Sequence, residues 1–126
     1  MRSFFAAPAF LLLAVVSISQ CNDKKTNAPF KARLETKALC MNYTFTLLQG
    51  SLDTSKINAT WTDETTGKSF TNAFGIANPC SFPPTINAGD EFYFTIDSVK
   101  KQDCAVCMAY YPTPSRKLFI NVVPKP

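Results

Sequence analysis

Residues 39–48 read LCMNYTFTLL, and this stretch decides the predicted fold. An apolar residue recurs at every second position of it, with asparagine and threonine between the later ones. Because successive side chains of a β-strand point to opposite faces, this period of two indicates a strand with one buried face. The apolar face of this strand would carry Leu39, Met41, Tyr43, Phe45 and Leu47.

The same alternation recurs along the rest of the chain between turn-forming segments. Further predicted strands cover residues 57–62, 70–76, 92–97, 106–110 and 118–122. Polar or proline-rich turns separate them, and no window after the N-terminal segment shows the helical period of 3.6. The sequence therefore predicts an all-β domain, an antiparallel sandwich of six strands, or of seven if residues 29–36 add an edge strand.

Residues 1–20 read MRSFFAAPAFLLLAVVSISQ, which is typical of a cleaved signal peptide. The apolar run after Arg2 is shorter than the roughly 20 residues that span a bilayer as a helix. Residues 18–21 read ISQC and resemble the bacterial lipobox, although Gln20 stands where that motif has a small residue. Cys21 would then be the lipidated N-terminus of the mature protein. The alternative is cleavage after Ser19 and secretion without a lipid.

The cysteine count agrees with lipidation. The chain has five cysteines, and an odd thiol is a liability in an exported protein. If Cys21 carries the lipid, Cys40, Cys80, Cys104 and Cys107 remain for two disulfides. Of the three connectivities, we favour Cys40 with one member of the Cys104/Cys107 pair and Cys80 with the other. Cys104 and Cys107 are three positions apart, so in a regular strand their side chains point to opposite faces, which supports this choice.

The charges are unevenly distributed along the chain. Residues 21–37 are predicted to be a polar basic tether, because they hold five basic and two acidic residues and show no regular period. Residues 38–126, predicted as the β-sandwich domain, hold seven of each. Basic residues beside an acylated cysteine would lie close to anionic lipid headgroups. A folded part without net positive charge argues against nucleic-acid binding.

Few residues could support catalysis. The chain has no histidine, which excludes histidine-based triads and HExxH zinc sites. Cys104-x-x-Cys107 starts no helical pattern that would lower a thiolate pKa, so a thiol-disulfide oxidoreductase is a distant alternative. A zinc site made of the four cysteines, and catalysis by the acidic pairs at 63–64 and 90–91, are equally distant. We predict no enzymatic activity, no metal and no cofactor.

Residues 87–96 read NAGDEFYFTI and resemble a stretch common in immunoglobulin-like and fibronectin-like sandwiches. Trp61, which lies between Cys40 and the last two cysteines, also resembles the immunoglobulin pattern. With the segments CNDKK at 21–25 and CAVCMAYYPTP at 104–114, the chain is similar to small exported lipoproteins of the Bacteroidetes type. The resemblance implies a cell-envelope lipoprotein of the outer membrane or facing the periplasm, with a compact β domain.

The tyrosines are the candidate ligand contacts. In the alternation along their segments, Tyr93 and Tyr111 occupy the positions opposite to those of the core residues, whereas Trp61 is expected in the core. The predicted function is a non-catalytic binding or structural module that is anchored to a membrane by lipid and contacts another envelope protein or a glycan. The alternative is a secreted carbohydrate-binding or small-ligand-binding module that uses the two tyrosines.

Overall fold

A computed structural model describes residues 28–99 and 104–126. The predicted signal peptide, Cys21 and the first part of the predicted tether lie outside the described residues. The strands are β1 (Phe30–Lys37), β2 (Tyr43–Gln49), β3 (Asn58–Thr62), β4 (Ser69–Ile76), β5 (Glu91–Ile96), β6 (Lys117–Leu118) and β7 (Ile120–Val123). Short 3-10 turns cover Leu39–Met41 and Pro79–Ser81. Nowhere in these two ranges is there a helix long and apolar enough to cross a bilayer.

The strands pair in the order β3-β4-β2-β1-β5-β7, and every pair along this path is antiparallel. Strand β6 pairs with β4 in parallel. Only Phe119 separates β6 from β7 in the chain. Strand β4 is therefore connected to this β6–β7 segment in two ways, directly by pairing with β6 and indirectly through β2, β1, β5 and β7. The predicted all-β, mainly antiparallel class is confirmed. The pairing itself does not divide the strands into two sheets, so the immunoglobulin-like sandwich stays a prediction.

The core is a cluster of phenylalanines. The Phe45 ring of β2 stacks on the Phe74 ring of β4, with 5.2 Å between centroids. It also meets the rings of Phe82 and Phe92 edge-on, at 5.2 and 5.6 Å. Such offset and edge-to-face pairs add to the stabilisation that burial of the rings provides. The alternating residues of β2, β4 and β5 therefore converge on a single core.

Strand β1 corrects the predicted tether. The sequence predicts a tether over residues 21–37, or an edge strand over 29–36, but β1 is central and pairs with both β2 and β5. Ala32 and Leu34 are fully buried, while the charged residues occupy the alternate positions. Lys31 and Arg33 both form ion pairs with Glu91, at 3.3 and 3.1 Å. Half of the residues of this strand are charged, and Glu91 of the neighbouring strand β5 pairs with two of them.

The strand predicted at 106–110 is wrong. Residues 104–110 contain no strand, and Met108 and Tyr110 are 96% and 78% exposed. Alternation alone does not make a strand, because a strand also needs a neighbour with free backbone groups. Residues 104–110 take part in none of the strand pairings of the described residues.

Two other predictions need correction at the margins of the sheet. The first predicted strand begins at Tyr43 rather than Leu39, because the preceding residues form a 3-10 turn. Trp61 is half-buried rather than in the core, and it stacks on Phe70 with 6.1 Å between ring centroids. Trp61 lies on β3, which ends the pairing order and leaves one of its edges uncovered.

Candidate functional site

Both 3-10 turns lie at the same end of the sheet. The first precedes β2 and the second follows β4, and these strands are antiparallel with Phe45 opposite Phe74. The start of β2 is therefore next to the end of β4. Each turn carries one cysteine, Cys40 in the first and Cys80 in the second.

Two disulfides fasten residues 104–107 to these turns. Cys40 is bonded to Cys107, with 5.1 Å between their Cα atoms, and Cys80 is bonded to Cys104, with 6.0 Å. The sulfur of Cys80 lies 4.0 Å from the thioether sulfur of Met41, so the two bridges are neighbours. The predicted pairing is confirmed. With all four sulfurs bonded in pairs, they are neither the thiolate ligands of a zinc ion nor a reduced CxxC motif.

The disulfide-linked segments 39–42 and 104–110 present apolar side chains to solvent, and we call them the loop surface. Met108 and Tyr110 are the most exposed of these side chains, as given above. The exposed large apolar residues of the loop surface are Leu39, Met41, Val106, Met108 and Tyr110. Single exposed apolar residues are common, but a contiguous group of them marks an interaction site.

The backbone of the loop surface is held in one conformation. The Asn42 side-chain amide donates hydrogen bonds to the Leu39 carbonyl at 2.9 Å and to the Ala109 carbonyl at 3.0 Å. The bond to Ala109 joins the two segments independently of the disulfides, and the bond to Leu39 closes the first segment. Cys40 and Met41 have φ angles of +55° and +57°, a left-handed conformation that costs energy for residues other than glycine. The surrounding bonds therefore maintain a backbone that the local sequence does not favour.

A buried carboxylate fixes the chain immediately after the loop surface. The Tyr111 hydroxyl donates to Asp63 Oδ2 at 2.7 Å and lies 2.9 Å from the Thr65 hydroxyl. Asp63 Oδ1 accepts the Thr65 backbone N–H at 2.8 Å and the Thr65 hydroxyl at 2.6 Å. Tyr111, a predicted ligand contact, thus uses its hydroxyl to hold residues 104–110 against the turn between β3 and β4.

This arrangement changes the acidity of Asp63. Burial alone would raise the pKa of Asp63, but hydrogen bonds from Thr65, Tyr111 and the backbone of residues 65–66 favour the carboxylate. The net effect lowers its pKa below the ordinary 3.8. Asp63 therefore stabilises the folded protein above about pH 4, and this contribution is lost as the pH falls through the lower pKa of the folded state.

We expect Asp63→Asn to lower the free energy of unfolding at pH 7 by about 2 kcal/mol, because an amide replaces one acceptor of charge-assisted hydrogen bonds with a donor. The free energy of unfolding of the variant should also fall less than that of the wild type when the pH is lowered below 4. Urea unfolding at pH 7 and pH 3 measures both effects. The exposed neighbour Glu64 provides the control Glu64→Gln, and equal effects of the two substitutions would contradict this account.

The other predicted ligand contact has different neighbours. Tyr93 is half-buried on β5, and the Lys31 ammonium lies 5.6 Å from the centroid of its ring. Tyr111 packs instead against the turn between β3 and β4. A ligand platform that uses both tyrosines stays a prediction. Strand alternation did not indicate Tyr110 as an exposed side chain, because its exposure depends on the conformation of the loop.

The predicted acidic pairs have structural partners. Asp90 Oδ2 accepts the Asn87 backbone N–H at 2.8 Å, which closes the turn before β5. Hydrogen bonds from Lys31 and Arg33 lower the pKa of Glu91. Together with the role of Asp63, these contacts account for three of the four carboxylates.

Comparison of the chain with protein-family models, curated protein sequences and solved structures finds no match to any of them. Within the part of the chain that the structure covers, no group of three or more histidine, cysteine or acidic side chains is arranged to hold a metal ion. The two disulfides indicate an oxidising environment outside the cytoplasm.

Proposed function

We propose that this protein is a non-catalytic, lipid-anchored binding module of the cell envelope, and that it binds an apolar patch of another envelope protein through the loop surface. One observation carries the proposal: five large apolar side chains are exposed together on two cross-linked segments. Aromatic and methionine side chains are enriched at the centres of protein interfaces.

The rigidity of the loop surface supports binding over a passive role. The Cys40–Cys107 bridge and the two hydrogen bonds of Asn42 hold the backbone that carries the apolar side chains before any partner arrives. A surface that is already ordered loses less conformational entropy on association. Met108 follows the bridged Cys107 directly, and its side chain and that of Tyr110 are exposed.

The anchor rests on the lipobox-like residues before Cys21, and the folded domain would then be held near a membrane. Secretion after cleavage at Ser19 is the competing outcome. The intact mass of the purified native protein distinguishes the two, because acylation adds the mass of the lipid to a chain that begins at Cys21. The same measurement with and without reductant counts the thiols in the disulfides.

The binding surface can be tested by site-specific photo-crosslinking in the native host. A photoreactive amino acid at Met108 should give a discrete adduct with a second protein, and the additional substitution Tyr110→Glu should reduce its yield about tenfold. Thr60, an exposed residue of β3 outside the loop surface, is the matched control position. Equal adducts from positions 108 and 60, or no adduct at 108, would overturn the proposal. An adduct between two copies of the chain would replace it with self-association.

A further inference from the structure

A second feature, separate from the loop surface, is a cavity of about 460 Å³ beside the end of β5 and strand β6. Three basic side chains line it, Lys56, Arg116 and Lys117, together with the single acidic residue Asp97. Asp97 already accepts the Val99 backbone N–H through Oδ1 at 2.9 Å. The cavity therefore carries an excess of positive charge.

Among residues 28–99 and 104–126, the three cations of the cavity form no direct ion pair. In residues 28–99 and 104–126 the ion pairs are those of Lys31 and Arg33 with Glu35 and Glu91, all around β1. Lys31 and Arg33 of β1 are thus held by direct ion pairs, whereas Lys56 of the cavity attracts the carboxylate of Asp53 only over a longer distance. Cations gathered around a concavity raise the local concentration of anions and attract them.

The backbone that carries these cations is fixed. The Asn58 side chain donates to the Ser115 hydroxyl at 3.2 Å and accepts the Arg116 backbone N–H at 3.1 Å. The Gly75 backbone N–H donates to the Arg116 carbonyl at 2.8 Å. The Lys117 stem packs over Gly75, where an added Cβ would lie 3.2 Å from the Lys117 Cγ. Hydrogen bonds therefore hold the backbone of residues 115–116, while the side chains of Arg116 and Lys117 are exposed.

A smaller cavity of about 310 Å³ adjoins the first. The two share Ala77, Lys117 and Phe119 in their walls, and the smaller one extends to Met41 and Val106. A ligand held by its charge in the first cavity would thus meet the apolar ring of Phe119. Ligand sites commonly combine a few polar anchoring groups with such an apolar wall.

We propose that this cavity binds a small anionic molecule through a carboxylate or phosphate group, with Lys56 and Arg116 as the anchoring residues. The planar guanidinium of Arg116 suits two oxygens of one oxyanion, and the lysine ammonium adds a point charge. This proposal does not depend on the partner of the loop surface, because the basic residues lie outside that surface.

The test is an NMR titration of the full, oxidised chain in non-ionic detergent at low ionic strength. The probes are glucuronate, its uncharged counterpart glucose, and inorganic phosphate. We expect saturable amide shifts confined to residues 55–56 and 115–119 with at least one anion, and none with glucose. Arg116→Gln and Lys56→Gln should each weaken binding at least fivefold. Lys68→Gln is the control, since the Lys68 ammonium lies over the Phe70 ring, 5.1 Å from its centroid.

Each outcome decides the proposal. Saturation by both anions supports recognition of the shared oxyanion, phosphate alone assigns an inorganic-phosphate site, and glucuronate alone assigns a site for an organic acid. The proposal is overturned if glucose causes the same shifts, if neither anion saturates, or if Arg116→Gln and Lys56→Gln bind like the wild type. A crosslink at position 108 would be unaffected by these two substitutions, so this proposal and that of the loop surface can fail separately.

Discussion

Phe45→Ala is expected to lower the free energy of unfolding by about 4 kcal/mol, the usual cost of removing a buried aromatic ring from a packed core. Phe45 is fully buried and its ring contacts those of Phe74, Phe82 and Phe92. The truncation would leave a cavity between β2, β4 and β5. Because small domains have only about 5–15 kcal/mol of stability, this loss would populate the unfolded state at moderate temperature.

Urea unfolding followed by far-ultraviolet circular dichroism measures this effect. Phe45→Leu is the matched control, since it keeps most of the apolar volume and should cost less than half as much. Leu48→Ala, at an exposed position of the same strand, should change stability little. If Phe45→Ala and Leu48→Ala had similar effects, the proposed core would be wrong.

Removing the Cys40–Cys107 bridge is expected to lower the free energy of unfolding by about 4 kcal/mol in the chain-entropy description. The bridge joins residues 67 apart in the sequence, so its loss releases a long loop in the unfolded chain. The Cys80–Cys104 bridge spans only 24 residues, and its removal should cost about 1 kcal/mol less. The paired variants Cys40→Ala/Cys107→Ala and Cys80→Ala/Cys104→Ala test this by chemical unfolding without reductant.

The paired variants also control for each other, since each retains one bridge and introduces two alanines. Reductant breaks both bridges of the wild type. It should therefore lower the free energy of unfolding more than the loss of one bridge does in either variant. An unchanged unfolding midpoint on removal of Cys40–Cys107, or on reduction, would show that the bridges do not hold the fold. We also expect Cys40→Ala/Cys107→Ala to lower the crosslinking yield at Met108, because the loop surface would lose its fixed conformation.

Strand alternation predicted most of the sheet because burial acts on individual side chains. Phe45 in β2, Phe74 in β4 and Phe94 in β5 all lie in apolar positions of predicted strands, and all three are fully buried. In β1 the same alternation is present, but charged residues fill its outer positions. Their compensation by Glu91 depends on β1 and β5 being neighbours. The segment by itself does not reveal that neighbour.

The loop surface shows the opposite error. Val106, Met108 and Tyr110 alternate as a strand would, but residues 104–110 form no strand and are linked by the bridges to the two 3-10 turns, with these three side chains exposed. The predicted cysteine pairing is nevertheless confirmed, although Cys104 and Cys107 do not lie in a strand. The basic cavity was not predicted, because Lys56 and Arg116 are far apart in the sequence and come together only when β6 pairs with β4.

By itself the sequence determined the all-β class, the position of most strands and the four cysteines that form the bridges. These properties depend on short-range alternation and on residue chemistry, both of which can be seen in a single segment. The tertiary structure decided that β1 is central, that residues 104–110 present apolar side chains to solvent, and that three basic side chains line one cavity. Each of these depends on which distant segments become neighbours, and local periodicity contains no information about that.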